Sequence, residues 1–270
     1  MFAIRLCSFT INKRSSLLVK SLFTSNVNYV FQSPRRELKY KEKHGESFKG
    51  ELTAPILGYW NIRGFSDPIR FLLAQAGVEY ELKTYNLGAA PEYSKDDFRS
   101  GANELGLDFP NLPYYIDGDV KLSQTVAILR YLGRKNGLAG IEENEVTRCD
   151  LAEQASMDMI MFLFKCWRTH DETAQKEINE YIPPKLEQLN KFLGSGPFVL
   201  GEKVSYADCI MYSLLDFVRI YKCELIEAHS TLKDFLSKFE SLPKIDGYLK
   251  SDKFSRLPIT APRFVWGGKA

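Results

Sequence analysis

The sequence has 270 residues, of which 44% are hydrophobic and 26% charged, a composition that is typical of a globular protein and excludes a wholly disordered chain. The net charge of +2 is unevenly distributed, because residues 1–53 hold ten Lys or Arg and four Glu, whereas the rest holds 26 basic and 30 acidic groups. A mildly acidic body argues against nucleic-acid binding. No apolar run approaches the roughly 18 residues of a membrane-spanning helix, so we expect neither a nucleic-acid partner nor a membrane span.

The amino-terminal extension, residues 1–53, differs in composition from the rest of the chain. Its first 36 residues include six basic residues and several serines but no acidic residue. This composition is typical of a mitochondrial transit peptide. A disordered or wrongly assigned extension without a targeting role fits equally well. We therefore expect the cytoplasm, which suits the body of the protein, or alternatively the mitochondrion, which suits the extension.

Cysteine and histidine are sparse and widely spaced. The five cysteines are odd in number and suggest no disulfide framework, so a reducing compartment is the simplest inference. The three histidines include no pair at the spacing of metal ligands. We therefore expect no metal site.

The body begins with a strand, a helix and a second strand. Residues 55–60 form a short apolar run that ends in a turn signal, which predicts the first strand. Ser66 is expected to cap the helix, which starts near Pro68 and ends at Gly77. Residues 80–85 alternate as a strand does. A βαβ unit of this length predicts two parallel strands.

Two more strands and a helix complete the first domain, residues 54–136. The strands cover residues 114–116 and 120–122, and Asp117-Gly118 between them is a hairpin turn signal. Apolar residues at helical spacing follow as far as Gly137. The order β-α-β-(α)-β-β-α is that of a thioredoxin-like domain.

Residues 142–270 are predicted to form an all-helical second domain, so the fold class is α/β plus all-α. The predicted helices cover 144–167, 175–193, 205–221, 231–241 and 244–250. Ser205 and Asp208 have the spacing of a capping box at the start of the third of these, with Asp in the role usual for Glu. We assign both residues to stability.

Three features of the first domain suggest chemistry. Tyr59 lies at the carboxyl end of the first strand, where such folds bind ligands, and no Cys-x-x-Cys pair is present for disulfide exchange. Leu112-Pro113 opens the third strand, either as a cis peptide that bares the Leu112 backbone or as a trans proline on an edge strand. Gln124-Thr125 begins a helix, where an anion or an ordinary cap is expected.

Together these features resemble the soluble glutathione transferases. The stretches that resemble the Mu class in particular are Pro55–Gly64, Gly106–Tyr114 and Ala127–Arg134. The likeness extends from Pro55 to about residue 260. It implies a homodimeric detoxification enzyme that conjugates glutathione, as a co-substrate and without another cofactor, to electrophilic and mostly apolar small molecules. A non-catalytic ligand-binding protein on the same scaffold and a glutathione-dependent isomerase remain alternatives.

The resemblance also implies roles for individual residues. Tyr59 would activate the thiol, and Phe109 would be the aromatic key inserted into the neighbouring subunit. Asp158 of the partner subunit would meet the γ-glutamyl amine, which implies a shared site. The residues that it implies as glutathione contacts are Trp60, Asn111, Leu112, Pro113, Gln124, Thr125 and Asp158.

The sequence departs from the Mu class at two places. Phe98 and Ala102 stand where the class has a Trp and a Lys that hold the glycyl carboxylate, and we expect Arg99 or Lys95 to replace them. A class Tyr on the electrophile side has no counterpart near Trp167. We expect Phe65 and Trp167 to line the substrate pocket, although Trp167 fits equally well as a core aromatic at a helix end.

Overall fold

The computed structural model describes residues 54–268. Residues 1–53, where a transit peptide is one of the two predictions, lie outside the described residues. Among the described residues, no helix is both long and apolar enough to cross a bilayer.

A four-stranded mixed sheet forms the centre of the first domain. Its strands are β1 (Ile56–Trp60), β2 (Glu81–Tyr85), β3 (Tyr114–Asp117) and β4 (Val120–Ser123), in the order β2-β1-β3-β4. β1 is parallel to β2, as predicted, and antiparallel to β3, which forms a hairpin with β4. The hairpin turn needs Gly118, whose φ is +59°. The carboxyl end of β1 therefore lies in the middle of the sheet.

Three helices belong to this domain: α1 (Asp67–Ala76), α2 (Asp96–Arg99) and α3 (Thr125–Lys135). α1 buries the apolar face that its spacing predicts, and Gly77 ends it with a φ of +72°. The predicted side-chain cap was wrong. The hydroxyl of Ser66 donates instead to the carbonyl of Arg63, because a short 3-10 turn precedes α1 and leaves that carbonyl within reach.

The second domain is all-helical, as predicted. Its helices are α4 (Glu143–Thr169), α5 (Glu172–Leu193), α6 (Tyr206–Tyr221), α7 (Glu224–Glu227), α8 (Ser230–Glu240) and α9 (Pro243–Leu249). α6 is its core, with every residue from Tyr206 to Val218 buried. One turn, α7, lay outside the predicted set, because four residues are too few to show a helical period.

The capping box at the start of α6 is present as predicted. Asp208 is fully buried and accepts three hydrogen bonds: from the amide of Val199 at 2.7 Å, and from the amide and hydroxyl of Ser205 at 2.7 and 2.8 Å. Burial raises the pKa of Asp208 to about 6, although these donors oppose the rise. The carboxylate is therefore ionised at neutral pH and stabilises the start of the helix together with the loop before it.

A buried ionic group joins the segment after β1 to the second domain. The guanidinium of Arg63 contacts Asp67 at 2.8 Å and Asp216 of α6 at 2.7 Å. Burial alone would raise the pKa of Asp216, but three arginine charges, that of Arg63 first among them, lower it below its usual range. The carboxyl-terminal tail adds two backbone bonds, since Pro258 and Ile259 accept from the amides of Arg63 and Gly64 at 3.0 and 2.9 Å.

Candidate active site

A cavity of about 570 Å³ lies between the sheet, α4 and the carboxyl-terminal tail. Its walls come from the end of β1, the loop before β3, the start of α3, one face of α4, and residues 260–264. The predicted residues that line it are Tyr59, Trp60, Phe65, Asn111, Leu112, Pro113, Gln124, Thr125 and Asp158. Residues far apart in the sequence thus meet around one space.

Tyr59 lines this cavity, and its hydroxyl is protonated and accepts one hydrogen bond. The side chain is 3% exposed, and burial raises the pKa of its phenol to about 12, so the hydroxyl keeps its proton at neutral pH. The amide of Phe65 donates to the phenol oxygen at 2.8 Å. Among the described residues no acceptor takes the proton of Tyr59. The group is therefore an available hydrogen-bond donor.

Gly64 makes this arrangement possible. Its φ is +43°, and a Cβ added there would lie 2.5 Å from the hydroxyl oxygen of Tyr59. Only glycine allows the chain to pass so close to the phenol and to bring the next amide, that of Phe65, onto its oxygen. The turn after β1 thus orients the Tyr59 hydroxyl.

The loop before β3 and the start of α3 face Tyr59 across the cavity. The Leu112-Pro113 peptide is cis, which was one of the two alternatives that the sequence left open. Gln124 precedes α3 with a φ of +72°, a backbone conformation that is uncommon for a non-glycine residue. The hydroxyl of Thr125, at the first position of the helix, donates to the carbonyl of Phe65 at 3.1 Å. Free amides at this helix end favour an anion.

One face of α4 supplies the opposite wall. Asp158 lines the cavity of its own chain and accepts a hydrogen bond from the side-chain Nε2 of Gln154 at 2.8 Å. The other lining residues of this face, which no motif in the sequence marks, are Gln154, Met157, Met161 and Phe164. Helical spacing from Asp158 could have found them, since they lie within one or two turns on the same side.

The carboxyl-terminal tail is the second part of the site that the sequence analysis missed. Thr260, Ala261, Arg263 and Phe264 line the cavity. They follow the last helix in a segment without regular structure, so no periodicity marks them. The ring of Phe264 lies 6.4 Å from that of Phe164, which makes this side of the cavity apolar.

The residues at the two departures from the Mu class lie in a small hydrophobic cluster. Phe98 is 8% exposed, and its ring packs edge-on against Trp60 and Tyr85 at centroid distances of 6.4 and 5.3 Å. Ala102 is buried in the same cluster. Arg99 is exposed on α2, and neither it nor Lys95 lines the cavity.

The expectation that Trp167 lines the substrate pocket was wrong. Its indole is fully buried and lies 4.1 Å from the ring of Trp266 and 5.5 Å from that of Tyr221. Near the end of α4 the helix face that carries it turns toward the tail and α6 rather than toward the cavity. Trp167 is therefore a core aromatic at a helix end, the alternative that the sequence left open.

Phe109 lies on the outside of the molecule. Its side chain is 73% exposed, whereas its carbonyl accepts a bond from the hydroxyl of Ser123 at 2.6 Å. The backbone of Phe109 is thus bonded to the end of β4, at the residue before Gln124. Within residues 54–268 no group of three or more His, Cys, Asp or Glu side chains is arranged to hold a metal ion.

Comparisons with known proteins agree with this architecture. The family models described as "Glutathione S-transferase, N-terminal domain" and "Glutathione S-transferase, C-terminal domain" match residues 55–134 and 157–252. The chain is 44% identical to glutathione S-transferase B of Cavia porcellus over 214 residues, which cover 79% of this chain and 99% of that protein. It is 42% identical to glutathione S-transferase Mu 1 of Rattus norvegicus over 215 residues, with the same coverage.

Solved structures give the same result. The crystal structure of the glutathione S-transferase Blo t 8 superposes with a TM-score of 0.73 at 30% identity, covering 78% of this chain and 99% of that one. Family models that together match more than half of the chain, and relatives covered almost completely, show the family. The chain therefore belongs to the glutathione S-transferase family, in its Mu class, and it is an enzyme that conjugates glutathione to electrophilic small molecules.

Proposed function

We propose that Tyr59 is the catalytic residue and that its hydroxyl donates a hydrogen bond to the sulfur of glutathione. The observation that carries this proposal is the bond from the Phe65 amide to the Tyr59 oxygen at 2.8 Å. This bond occupies a lone pair of the oxygen and leaves the phenolic proton directed elsewhere. A free thiol has a pKa near 8.5, so only a few per cent is thiolate at neutral pH. A donor on the sulfur favours the charged form and lowers that pKa.

The rest of the site can hold glutathione in register with Tyr59. In our proposal the backbone of Leu112 pairs with the cysteinyl unit, flanked by Asn111 and Pro113, while Trp60 packs alongside. Gln124 and Thr125 bind the γ-glutamyl carboxylate, because the amides and the dipole at the start of α3 favour an anion.

We also propose that the enzyme is a homodimer with shared sites. The ring of Phe109 is exposed on a loop whose backbone bonds Ser123, next to the cavity-lining Gln124, and in our proposal this ring enters a neighbouring subunit. An aromatic ring that is 73% exposed is a suitable interface anchor. Asp158 of the partner subunit would then meet the γ-glutamyl amine across the interface.

The reaction needs only the thiolate and an electrophile. The sulfur attacks an electrophilic carbon of a co-substrate that lies against the apolar side of the cavity, and a leaving group departs or the carbon takes a proton. Retention on glutathione-agarose combined with a conjugation assay tests this function. An inert ligand-binding protein would be retained without turnover, and an isomerase would change its substrate without consuming glutathione.

Gly64→Ala is expected to lower kcat/KM at least about tenfold, because the new Cβ displaces the Tyr59 hydroxyl by which the thiol is activated. The variant should also lose about 1 to 3 kcal/mol of unfolding free energy through its positive φ. Steady-state kinetics and thermal unfolding measure the two effects.

Gly101→Ala is the matched control for this variant. Gly101 has a φ of −113°, and a Cβ there would meet no atom within 4 Å. We expect this change to leave kinetics and stability close to those of the parent. If Gly64→Ala kept full activity, the close packing of Gly64 against Tyr59 would have no role in catalysis.

Arg99→Ala is expected to raise the KM for glutathione several-fold while changing kcat little. Phe98 and Ala102 cannot bind a carboxylate, and Arg99 adjoins Phe98, whose ring packs on Trp60. A charge-assisted bond to the glycyl carboxylate is made equally in the ground and transition states, so its loss raises KM. Arg134→Ala, at an exposed arginine in the last turn of α3, is the control. An unchanged KM would remove Arg99 from the site.

The compartment depends on residues 1–53, which lie outside the described residues. We propose the cytoplasm, with the mitochondrion as the alternative. Sequencing the mature amino terminus distinguishes the two, because cleavage between about residues 30 and 54 indicates import.

A further inference from the structure

Four cations whose charges act on one another form what we name the cationic rim: Lys95, Arg99, Arg168 and Arg263. Lys95 and Arg99 come from the segment around α2, Arg168 from the end of α4, and Arg263 from the tail. Arg263 lines the cavity itself. The guanidinium carbons of Arg168 and Arg263 lie 5.7 and 5.8 Å from the centre of the Phe264 ring, which brings these two cations to the same aromatic side chain.

The rim has no internal counter-charge. Within residues 54–268, none of its four side chains forms an ion pair with a carboxylate or donates a side-chain hydrogen bond. Among the other described arginines, Arg63, Arg130 and Arg219 each contact at least two carboxylates, whereas Arg70, Arg134 and Arg148 contact none. Like charges gathered without partners repel one another, and a bound anion would relieve that repulsion.

The pKa of Lys95 is lowered by burial and by the positive charges around it. Burial lowers it, and the charges of Arg263, Arg99 and Arg168 lower it further. The residue lies before α2 in the first domain, whereas Arg168 and Arg263 belong to α4 and the tail. The charges of Arg168 and Arg263 therefore reach Lys95 from the other domain.

Arg263 lies at the end of an apolar surface. Phe264 follows it in the tail, and the ring of Phe264 continues through Phe164 to Phe65 at centroid distances of 6.4 and 4.9 Å. Phe65 carries the amide that bonds the Tyr59 hydroxyl. A molecule lying along these rings would thus have one end near the proposed sulfur position and the other near the guanidinium of Arg263.

We propose that the preferred electrophiles of this enzyme are aromatic or otherwise apolar molecules that carry an anionic group, a carboxylate or sulfonate, which Arg263 binds with Arg168 beside it. This proposal rests on the proposed function of Tyr59. It adds the substrate class, which neither the family nor the apolar rings specify. Arg263 is in this proposal a specificity-determining residue, because it touches the substrate away from the reacting carbon.

A substrate of this class is 4-chloro-3,5-dinitrobenzoate, and its uncharged match is 4-chloro-3,5-dinitrobenzamide. In both, the glutathione sulfur forms a bond to the ring carbon that bears chlorine. The carbon–chlorine bond then breaks, chloride leaves with the bonding electrons, and the thiol proton passes to solvent. The two substrates share the reacting carbon and the leaving group and differ in the group opposite that carbon, which is charged only in the benzoate.

The experiment compares kcat/KM for the two substrates in the parent enzyme and in Arg263→Gln, Arg168→Gln, Arg263→Lys and Arg134→Gln. The ratio of benzoate to amide is expected to fall about tenfold or more in Arg263→Gln, as for the loss of one charge-assisted bond, and less in Arg168→Gln. Arg263→Lys should restore part of the ratio, and Arg134→Gln should leave it unchanged. The benzoate advantage should also shrink as salt rises.

Two results would overturn the proposal. If Arg263→Gln changed both substrates equally, Arg263 would act on packing alone. If it raised the KM for glutathione and left the ratio unchanged, the cation would serve the glycyl carboxylate instead. If the parent enzyme turned over neither substrate, the proposed thiol transfer itself would be overturned. Turnover of the amide shows that thiol transfer occurs, and it therefore distinguishes that outcome from the two results on Arg263.

Discussion

Tyr59→Phe is expected to lower kcat/KM for a neutral halogenated nitroaromatic by about ten- to a hundredfold, the range for one hydrogen bond to a charged group. The phenol is buried, protonated, and already accepts a bond from the Phe65 amide, so its proton is free for the sulfur. Phenylalanine keeps the ring and removes only this donor. The bound thiolate then loses its stabilising partner, and the pKa of the bound thiol rises by about one to two units.

The rise in the pKa of the bound thiol can be measured from the pH–rate profile. In the parent enzyme the bound thiol ionises at lower pH, so the rate reaches its plateau earlier. In Tyr59→Phe the rising limb of the pH–rate profile moves to higher pH, and the ultraviolet absorbance of bound thiolate at neutral pH decreases. Tyr115→Phe removes a hydroxyl that donates to Asp117 outside the cavity, and it serves as the matched control. Unchanged kinetics in Tyr59→Phe would refute the assignment.

Asp208→Ala is expected to have the largest effect on stability, a loss of about 3 to 5 kcal/mol of unfolding free energy. One helix cap alone would contribute about 1 kcal/mol. Asp208, however, is fully buried and accepts from Val199 and twice from Ser205, so its removal leaves three donors without a partner. Each buried unsatisfied group costs about 1 to 3 kcal/mol, and local relaxation recovers some of this cost.

Thermal or denaturant unfolding at neutral pH measures the effect. A loss of 3 kcal/mol or more corresponds to a fall in Tm of at least about 6 °C in a protein of this size. Ser205→Ala is the graded control, because it removes one of the three donors and keeps the carboxylate, so we expect a loss of about 1 kcal/mol. If Asp208→Ala cost no more than Ser205→Ala, the carboxylate would act as a helix cap alone.

The sequence predicts the fold closely where apolar residues recur over several turns or alternate along a strand. The parallel pairing of β1 with β2, the hairpin at Gly118 and the long helices of the second domain follow from such patterns. The first-domain motifs at Tyr59, Leu112-Pro113 and Gln124-Thr125 line the cavity, since the sheet fixes the ends of its strands relative to one another, whereas Arg99 does not line it. Asp158 was named by resemblance for a site shared with a partner subunit, and it lines the cavity of its own chain.

The cavity residues that the sequence did not predict correctly depend on tertiary structure. Trp167 and Phe164 are three residues apart on α4, yet Phe164 lines the cavity and Trp167 lies in the core. Which of two neighbouring aromatics reaches a cavity depends on how the tail packs against the helix. Residues 260–264 form no regular element, and their position depends on backbone bonds to Arg63 and Gly64 almost two hundred residues earlier. The local sequence around residues 260–264 therefore does not indicate that they reach the cavity.

These backbone bonds also bear on how the enzyme is made. A ribosome releases the segment that carries Tyr59 and Gly64 early and the segment that carries Pro258 and Ile259 last, and domains tend to fold in that order. The sheet can form while synthesis continues, but the turn that orients the phenol acquires its final partners only when the tail emerges. A nascent chain without the tail therefore lacks two of the backbone bonds that hold the turn beside Tyr59, and that turn reaches its final set of bonds only once residues 258 and 259 have been made.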